Sequence, residues 1–194
     1  FSTLLGLWWL LETGTYFGLL PEQLISVPRS VFIWLSIPLG LGAAIYTAFL
    51  FAQAEGRDLW QSSTLPFHLT VQAFMAGGAL LTVLGAFGLV SPLIQEVGRM
   101  TMVGTIILDL FFQWAEFGMP HASEVAGRAA HEIIGGEFKS LFWFGNMLLG
   151  HVIAFGLLLT GVSALSALAA VAAMVGLYCY EYAFVMAPQR IPNS

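Results

Sequence analysis

The sequence predicts an all-α fold, a polytopic bundle of about six transmembrane helices that forms one membrane domain over residues 1–194. The composition is the first reason, because 58% of the residues are hydrophobic and only 9% are charged. The second reason is that apolar runs of roughly 20 residues, the length of one helical crossing, recur along the whole chain. The sequence between these runs is too short for a soluble domain.

Six apolar segments are predicted to be the helices, namely 3–20, 31–52, 66–90, 99–117, 140–161 and 164–186. The second contains Pro38, which removes a backbone hydrogen bond and bends a helix. The third starts at Pro66, a residue favoured in the first turn of a helix. Only residues 161–163 separate the fifth segment from the sixth, which predicts a tight helical hairpin at one membrane face.

The long polar connection between the fourth and fifth segments, residues 118–139, is predicted to be cytoplasmic. With loops alternating between the two faces, four basic side chains lie on its face and two on the other. The positive-inside rule assigns the richer face to the cytoplasm. Ser123 can cap a helix N-terminus, and Gly135 and Gly136 can stop a helix, so a short surface helix is expected over about 124–134.

The fourth segment carries polar side chains where the bilayer is expected. Asp109, Gln113 and Glu116 are spaced i, i+4, i+7, which places them on one face of an α-helix. An acid at the centre of a membrane helix costs roughly 2.5–3.5 kcal/mol on insertion scales, so such groups turn toward partners or water. This stripe, together with His151 of the fifth segment, predicts a proton path.

Histidines inside the predicted helices leave several interpretations open. His68 and Gln72 lie one turn apart on the third segment, and His151 lies in the fifth. Such residues serve as proton relays, as hydrogen-bond partners of a quinone, as haem ligands, or as structural links between helices. Counted from the predicted helix ends, His151 lies about 15 Å deeper than His68, too far apart to ligate one haem.

The remaining composition excludes some classes of function. Cys179 is the single cysteine and no CxxC motif is present, so this chain is not expected to ligate an iron–sulfur cluster or any other metal. The net charge of −5 is spread too thinly to indicate nucleic-acid binding. Tyr178, Tyr180 and Tyr182, near the end of the last segment, fit an aromatic belt at the membrane interface.

Three stretches of the sequence resemble one family. They are YTAFLFAQAEGRDLWQS at 46–62, HASEVAGRAAHEIIGGEFKSLFWFG at 121–145, and YAFVMAPQRIPNS at 182–194. In this order they are similar to the polysulfide reductase NrfD-like membrane subunits, which include PsrC and the membrane subunits of alternative complex III. Members of that family usually have eight or ten crossings, so the resemblance leads us to expect that the six predicted here are the C-terminal part of such a subunit.

The resemblance implies a partner and an electron carrier. The expected substrate is menaquinone or ubiquinone, and the expected partner is a ferredoxin-like subunit with iron–sulfur clusters, with a molybdopterin enzyme or a multihaem cytochrome beyond it. The location implied is a bacterial-type cytoplasmic (inner) membrane. Arg57 and Asp58 match the family's helix-end motif and join His68 and Gln72 as candidates for a quinone-binding or polar network.

The sequence therefore favours a membrane subunit of a respiratory oxidoreductase that exchanges electrons between quinone and an iron–sulfur partner, with a proton path through the bundle. A secondary transporter is one alternative, because Pro38 and the buried acids also occur in transporters. A structural anchor that binds no quinone is the other. Copurifying subunits and inhibition by quinone analogues distinguish these three hypotheses.

Overall fold

The computed structural model describes residues 1–192, and the described part of the chain is helical without β-strands. Asn193 and Ser194, which end the third quoted stretch, lie outside the described residues. The helices, in chain order, are α1 (Ser2–Tyr16), α2 (Glu22–Ala52), α3 (Leu65–Ala86), α4 (Pro92–Gly118), α5 (Glu124–Ile134), α6 (Leu141–Leu159) and α7 (Ser163–Arg190). A short 3₁₀ turn, Asp58–Gln61, precedes α3.

Within residues 1–192, five helices are long and apolar enough to cross a membrane, namely α2, α3, α4, α6 and α7. They correspond to five of the six predicted segments, so the polytopic all-α fold is confirmed. Helix α1 has 15 residues, about 22 Å at the helical rise, which is less than the roughly 30 Å of a hydrocarbon core. It ends before the predicted boundary because Gly18, with a φ of +69°, begins a turn.

Two helices begin well before their predicted starts. Helix α2 starts at Glu22 rather than 31 and runs without interruption past Pro38 to Ala52, so this proline does not break the segment. Helix α4 starts at Pro92 rather than 99, after the N-cap Ser91. The predicted starts were wrong because hydropathy does not register a polar first turn as part of a membrane helix.

The polar first turn of α4 is stable because its side chains bind neighbouring elements. Arg99 pairs with Glu96 at 2.5 Å and donates to the carbonyl of Leu158 at 2.7 Å, near the end of α6. Gln95 donates to the hydroxyl of Ser163 at 2.6 Å, where α7 begins. These contacts tie α4 to the turn of the predicted hairpin, in which Gly161 has a φ of +68°.

The contacts divide the chain into two compact units. The first, Phe1–Thr47, contains α1 and most of α2. Glu12 of α1 accepts hydrogen bonds from Arg29 of α2 at 2.6 and 2.8 Å and from Trp8 at 2.9 Å, so the acid in the first helix is paired. That the whole chain acts as a single membrane domain stays a prediction.

The second unit, from Ala48 onward, is a four-helix bundle. Helix α3 packs against α4 and α7, and α6 packs against α7 and α4, which closes the ring. The surface helix predicted over 124–134 is α5, and the side chain of Ser123 caps it as expected. Helix α5 packs against α7 and the 3₁₀ turn.

Paired glycines let neighbouring helices of the bundle approach closely. A Cβ atom on Gly78 of α3 would lie 2.8 Å from the carbonyl oxygen of Gly98 on α4. A Cβ atom on Gly150 of α6 would lie 2.7 Å from the Cα of Gly176 on α7. Both distances are too short for a side chain, so close packing of the two hairpins requires glycine at these positions.

The first part of α6, Leu141–Ile153, is a π-helix, and only Ala154–Leu159 is α-helical. Its backbone hydrogen bonds span five residues, so Asn146 and His151 lie one turn apart on the same side. In an α-helix, which turns about 100° per residue, two residues five apart point in different directions. The sequence predicted an ordinary helix here.

We expect Gly78→Ala to lower the free energy of unfolding by about 1–3 kcal/mol, because the added methyl forces α3 and α4 apart. Gly77→Ala is the matched control, since a Cβ on Gly77 meets nothing within 4 Å and alanine favours a helix over glycine. Thermal unfolding in detergent measures both variants. Equal melting temperatures for the two would show that the close contact is not required.

Candidate functional site

A layer of buried polar side chains separates two apolar core clusters of the bundle. One cluster contains Leu65, Phe142 and Phe184, and the other contains Met75 and Ile106. The polar layer lies between them along each of the four helices of the bundle. Its buried members are His68, Gln72, Asp109, Gln113, Asn146, His151 and Tyr180.

The carboxylate of Asp109 is the centre of this layer. Its side chain is 1% exposed, and its two oxygens face three side chains. Oδ1 lies 2.7 Å from Nε2 of His68 on α3. Oδ2 lies 2.8 Å from Nε2 of His151 on α6 and accepts from the amide of Gln113 at 2.6 Å. Helices α3, α4 and α6 thus each place a polar side chain against one carboxylate. These contacts replace the water molecules that the carboxylate loses when it is buried.

The ring of His151 contacts a polar oxygen through each of its two nitrogens. Its Nδ1 lies 2.9 Å from the backbone carbonyl oxygen of Asn146, and a carbonyl can only accept, so Nδ1 carries a hydrogen. A further hydrogen lies between Nε2 and Asp109, on the imidazole when the carboxyl group is ionised and on the carboxyl group when it is not. Oδ2 of Asp109 and Nε2 of His151 thus lie within hydrogen-bond distance, at 2.8 Å.

Polar contacts extend the site on both sides of Asp109. Asn146 donates to the amide oxygen of Gln113 at 2.6 Å, while its own Oδ1 is buried without a hydrogen-bond partner. The hydroxyl of Tyr180 lies 3.5 Å from Nδ1 of His68, and the amide nitrogen of Gln72 lies 3.2 Å from Nε2 of the same ring. The result is a connected network within an apolar bundle.

Glu116 lies outside this network. It follows Asp109 by two helical turns, about 10 Å along the axis. Its carboxylate accepts hydrogen bonds from Ser62 at 2.6 Å and from Thr64 at 3.1 Å. It lines a polar cavity of about 590 Å³ that His121 also lines. Of the four residues predicted for the proton path, Asp109, Gln113 and His151 are directly joined, and Glu116 faces a separate cavity.

Arg57 and Asp58 do not reach the network either. Arg57 donates to the carbonyl oxygens of Pro188 and Ile191, each at 2.8 Å, and so binds the end of α7. Asp58 accepts a hydrogen bond from Ser123, the N-cap of α5. These two residues therefore hold helix ends together, while His68 and Gln72, predicted with them, belong to the buried network.

The depth assigned to His68 from the sequence was wrong. His68 and His151 bind the same carboxylate, although counting from the helix ends separated them by about 15 Å. Helix α3 begins inside the bundle, because the 3₁₀ turn before it buries Leu59 in the same core cluster as Leu65.

The two imidazoles still do not fit a haem, since the Nε2 atom of each is directed at Asp109. Within residues 1–192 no group of His, Cys, Asp or Glu side chains is arranged to hold a metal ion.

The sequence interpretation missed two members of the network. Tyr180 was assigned to an interfacial belt, yet it is 1% exposed, whereas Tyr178 and Tyr182 are 69% and 43% exposed. A stripe of small residues along α7, with Ala173, Gly176 and Ala183 among them, marks the buried face on which Tyr180 lies. Asn146 gave no such signal, because its position beside His151 depends on the π-helix.

The sequence profile of the family described as polysulphide reductase, NrfD, matches residues 7–193. The chain belongs to the NrfD family. No curated protein and no solved structure matches it. As an NrfD protein with five helices of membrane-spanning length, it is a multi-pass membrane protein. The family consists of membrane subunits of quinone-linked oxidoreductases, which typically pair with iron–sulfur and molybdopterin subunits.

The contacts of Arg57 predict a role in stability rather than in chemistry. We expect Arg57→Met to lower the free energy of unfolding by about 1.5–3 kcal/mol, because two carbonyl oxygens at the end of α7 lose a charged donor. Activity per assembled NrfD complex should stay unchanged. Arg128→Met is the control, because the side chain of Arg128 is 61% exposed and its one ion-pair partner at 3.4 Å, Glu124, is 86% exposed. Full stability with lost activity would assign Arg57 to the functional site.

Proposed function

We propose that this NrfD subunit moves protons through the buried network while its complex exchanges electrons between quinone and an iron–sulfur partner. The observation that carries the proposal is the contact of 2.8 Å between Oδ2 of Asp109 and Nε2 of His151 inside the bundle, from which we infer that the two groups share one proton. A quinone takes up protons when it is reduced and releases them when it is oxidised. A proton carrier within the bundle therefore suits a subunit of a quinone-linked enzyme.

The shared proton supports transfer rather than simple stability. A carboxyl group and an imidazole at 2.8 Å exchange a proton without any change in the net charge of the pair. His68 lies on the other carboxylate oxygen and can receive the charge in turn. The network thus offers two imidazoles on either side of one acid, an arrangement suited to successive uptake and release.

Glu116 is the proposed point of proton uptake. Its carboxylate lines the polar cavity on the side where Ser62, Thr64 and His121 lie. Gln113 lies between Glu116 and Asp109 on the same face of α4, and its amide is bonded to Asp109. Glu116 and Asp109 are two helical turns apart, about 10 Å along α4, and this is the distance that the proton would cover.

The partners follow from the family rather than from contacts of this chain. We propose an iron–sulfur subunit of ferredoxin type as the electron partner, with a molybdopterin enzyme or multihaem cytochrome beyond it, in the inner membrane of a bacterium. Arg57, Asp58 and Ser123 order one end of the bundle, where they join α7, the 3₁₀ turn and α5. A rigid end of this kind suits the docking of a second subunit.

We expect Asp109→Asn to reduce quinone-linked turnover, or its proton coupling, roughly a hundredfold in an assembled complex, because an amide cannot hold the shared proton. Turnover with a quinone analogue and proton uptake into vesicles are the measurements. Thr105→Val is the matched control, because Thr105 lies on the same face of α4 but bonds only to backbone carbonyls. Normal turnover and coupling in Asp109→Asn would remove Asp109 from the mechanism.

We expect Glu116→Gln to slow proton uptake about tenfold while the buried pair stays intact, since the carboxylate facing the cavity is lost. Small weak acids such as formic acid should restore part of the rate by carrying protons into the cavity. Glu124→Gln, on the exposed start of α5, is the control. An unaltered rate in Glu116→Gln, with the Asp109 variant inactive, would place the uptake point elsewhere.

A further inference from the structure

Glu181 is an acidic side chain of the bundle that the proposed function does not use. It lies on α7, a membrane-spanning helix, and directly follows Tyr180, the tyrosine of the buried network. Its side chain is half-buried. An acid within a membrane helix costs roughly 2.5–3.5 kcal/mol on insertion scales and is normally found where it has partners or a function. The surroundings of Glu181 therefore indicate what it does.

Glu181 lies at about the same depth in the bundle as Asp109. The starts of α4 and α7 lie at one face, because Gln95 of α4 donates to the hydroxyl of Ser163 at 2.6 Å. Counted from the first residue of each helix, the positions of Asp109 and Glu181 differ by one residue, which is about 1.5 Å at the helical rise. Glu181 therefore extends the polar layer of the bundle sideways, toward the outer side of α7.

The contacts of Glu181 join it to the network through α3. Its carboxyl group forms a side-chain hydrogen bond with Gln72 and interacts electrostatically with His68 and Asp109. The amide nitrogen of Gln72 lies 3.2 Å from Nε2 of His68, and the same ring nitrogen lies 2.7 Å from Oδ1 of Asp109. His68 thus lies between two carboxyl groups, one in direct contact and the other connected through an amide.

The two carboxyl groups differ in the partners that replace water. Asp109 faces three polar side chains, whereas Glu181 is bonded to the amide of Gln72. Close by, Tyr178 and Ala76 line a groove of about 520 Å³ between α3 and α7, whose other walls are apolar. A charged carboxylate loses much of its solvation in such surroundings, and a carboxyl group that holds a proton loses less.

We propose that Glu181 is a second proton-holding carboxyl group of the buried network, coupled to Asp109 through His68, and this rests on the proposed function. Its carboxylate binds one hydrogen ion and becomes a neutral carboxyl group, and no other bond changes. Neighbouring acids in a low-dielectric interior bind protons in linked steps rather than independently. A quinone takes up two protons with two electrons, and a network with two such acids can provide both.

A purely structural role is the alternative, in which Glu181 only holds Gln72 in place. Glu181→Gln separates the two roles. Glutamine keeps the size of the side chain and can still form a hydrogen bond with Gln72, but it has no carboxyl group to hold an exchangeable proton. Glu181→Asp keeps the carboxyl group and shortens the side chain.

The test is infrared spectroscopy of the intact complex in liposomes, recorded as the difference between its reduced and oxidised states in H₂O and in D₂O. We expect Glu181→Gln to remove one deuterium-sensitive carboxyl band and to slow proton uptake about tenfold. Asp109→Asn should remove a different band. Glu124→Gln is the control, since the side chain of Glu124 is 86% exposed, and it should change neither the bands nor the rate.

Glu181→Asp guards against a structural fault in the first variant. We expect it to keep a carboxyl band, at a shifted frequency, and to recover most of the rate. If Glu181→Gln keeps every carboxyl band of the wild-type complex, whatever its rate, the inference is wrong. Loss of turnover in Asp109→Asn would then still support the proposed function. Normal turnover and proton coupling in Asp109→Asn would overturn the proposed function itself, whatever the Glu181 variants show.

Discussion

A carboxylate inside a membrane bundle is stable only where hydrogen-bond donors replace the water that it has lost. Asp109 obtains those donors from His68 on α3, from His151 on α6 and from Gln113 on its own helix. Much of the geometry of the bundle serves this requirement. The helices have to lie close enough for short side chains to meet.

Close helix packing and irregular helix geometry both bring these polar side chains into contact. Gly78 and Gly98 let α3 and α4 touch backbone to backbone, and Gly150 and Gly176 do the same for α6 and α7. The π-helical part of α6 brings His151 and Asn146 to one side, toward α4. Such π segments are rare and frequently occur at functional sites, which agrees with the position of this one beside the buried network.

The polar network contains the groups that the proposed proton transfer requires. Protons need groups that gain and lose hydrogens, and the network supplies a carboxyl group and two imidazoles. The end of the bundle, held by Arg57 and Asp58, gives this network a fixed frame.

The sequence by itself determined the class of the protein, five of the six segments predicted to cross the membrane, the surface helix α5 and the tight turn at Gly161. Hydropathy, caps and spacing reveal these features, because each is a property of one segment. The tertiary structure decided which polar residues meet. His68 and His151 share a carboxylate because α3 starts inside the bundle, Tyr180 is buried while Tyr178 is not, and Arg57 binds a helix end. Contacts of this kind depend on the depth at which each helix begins and on its rotation relative to the neighbouring helices. Neither quantity can be predicted from the sequence of one segment.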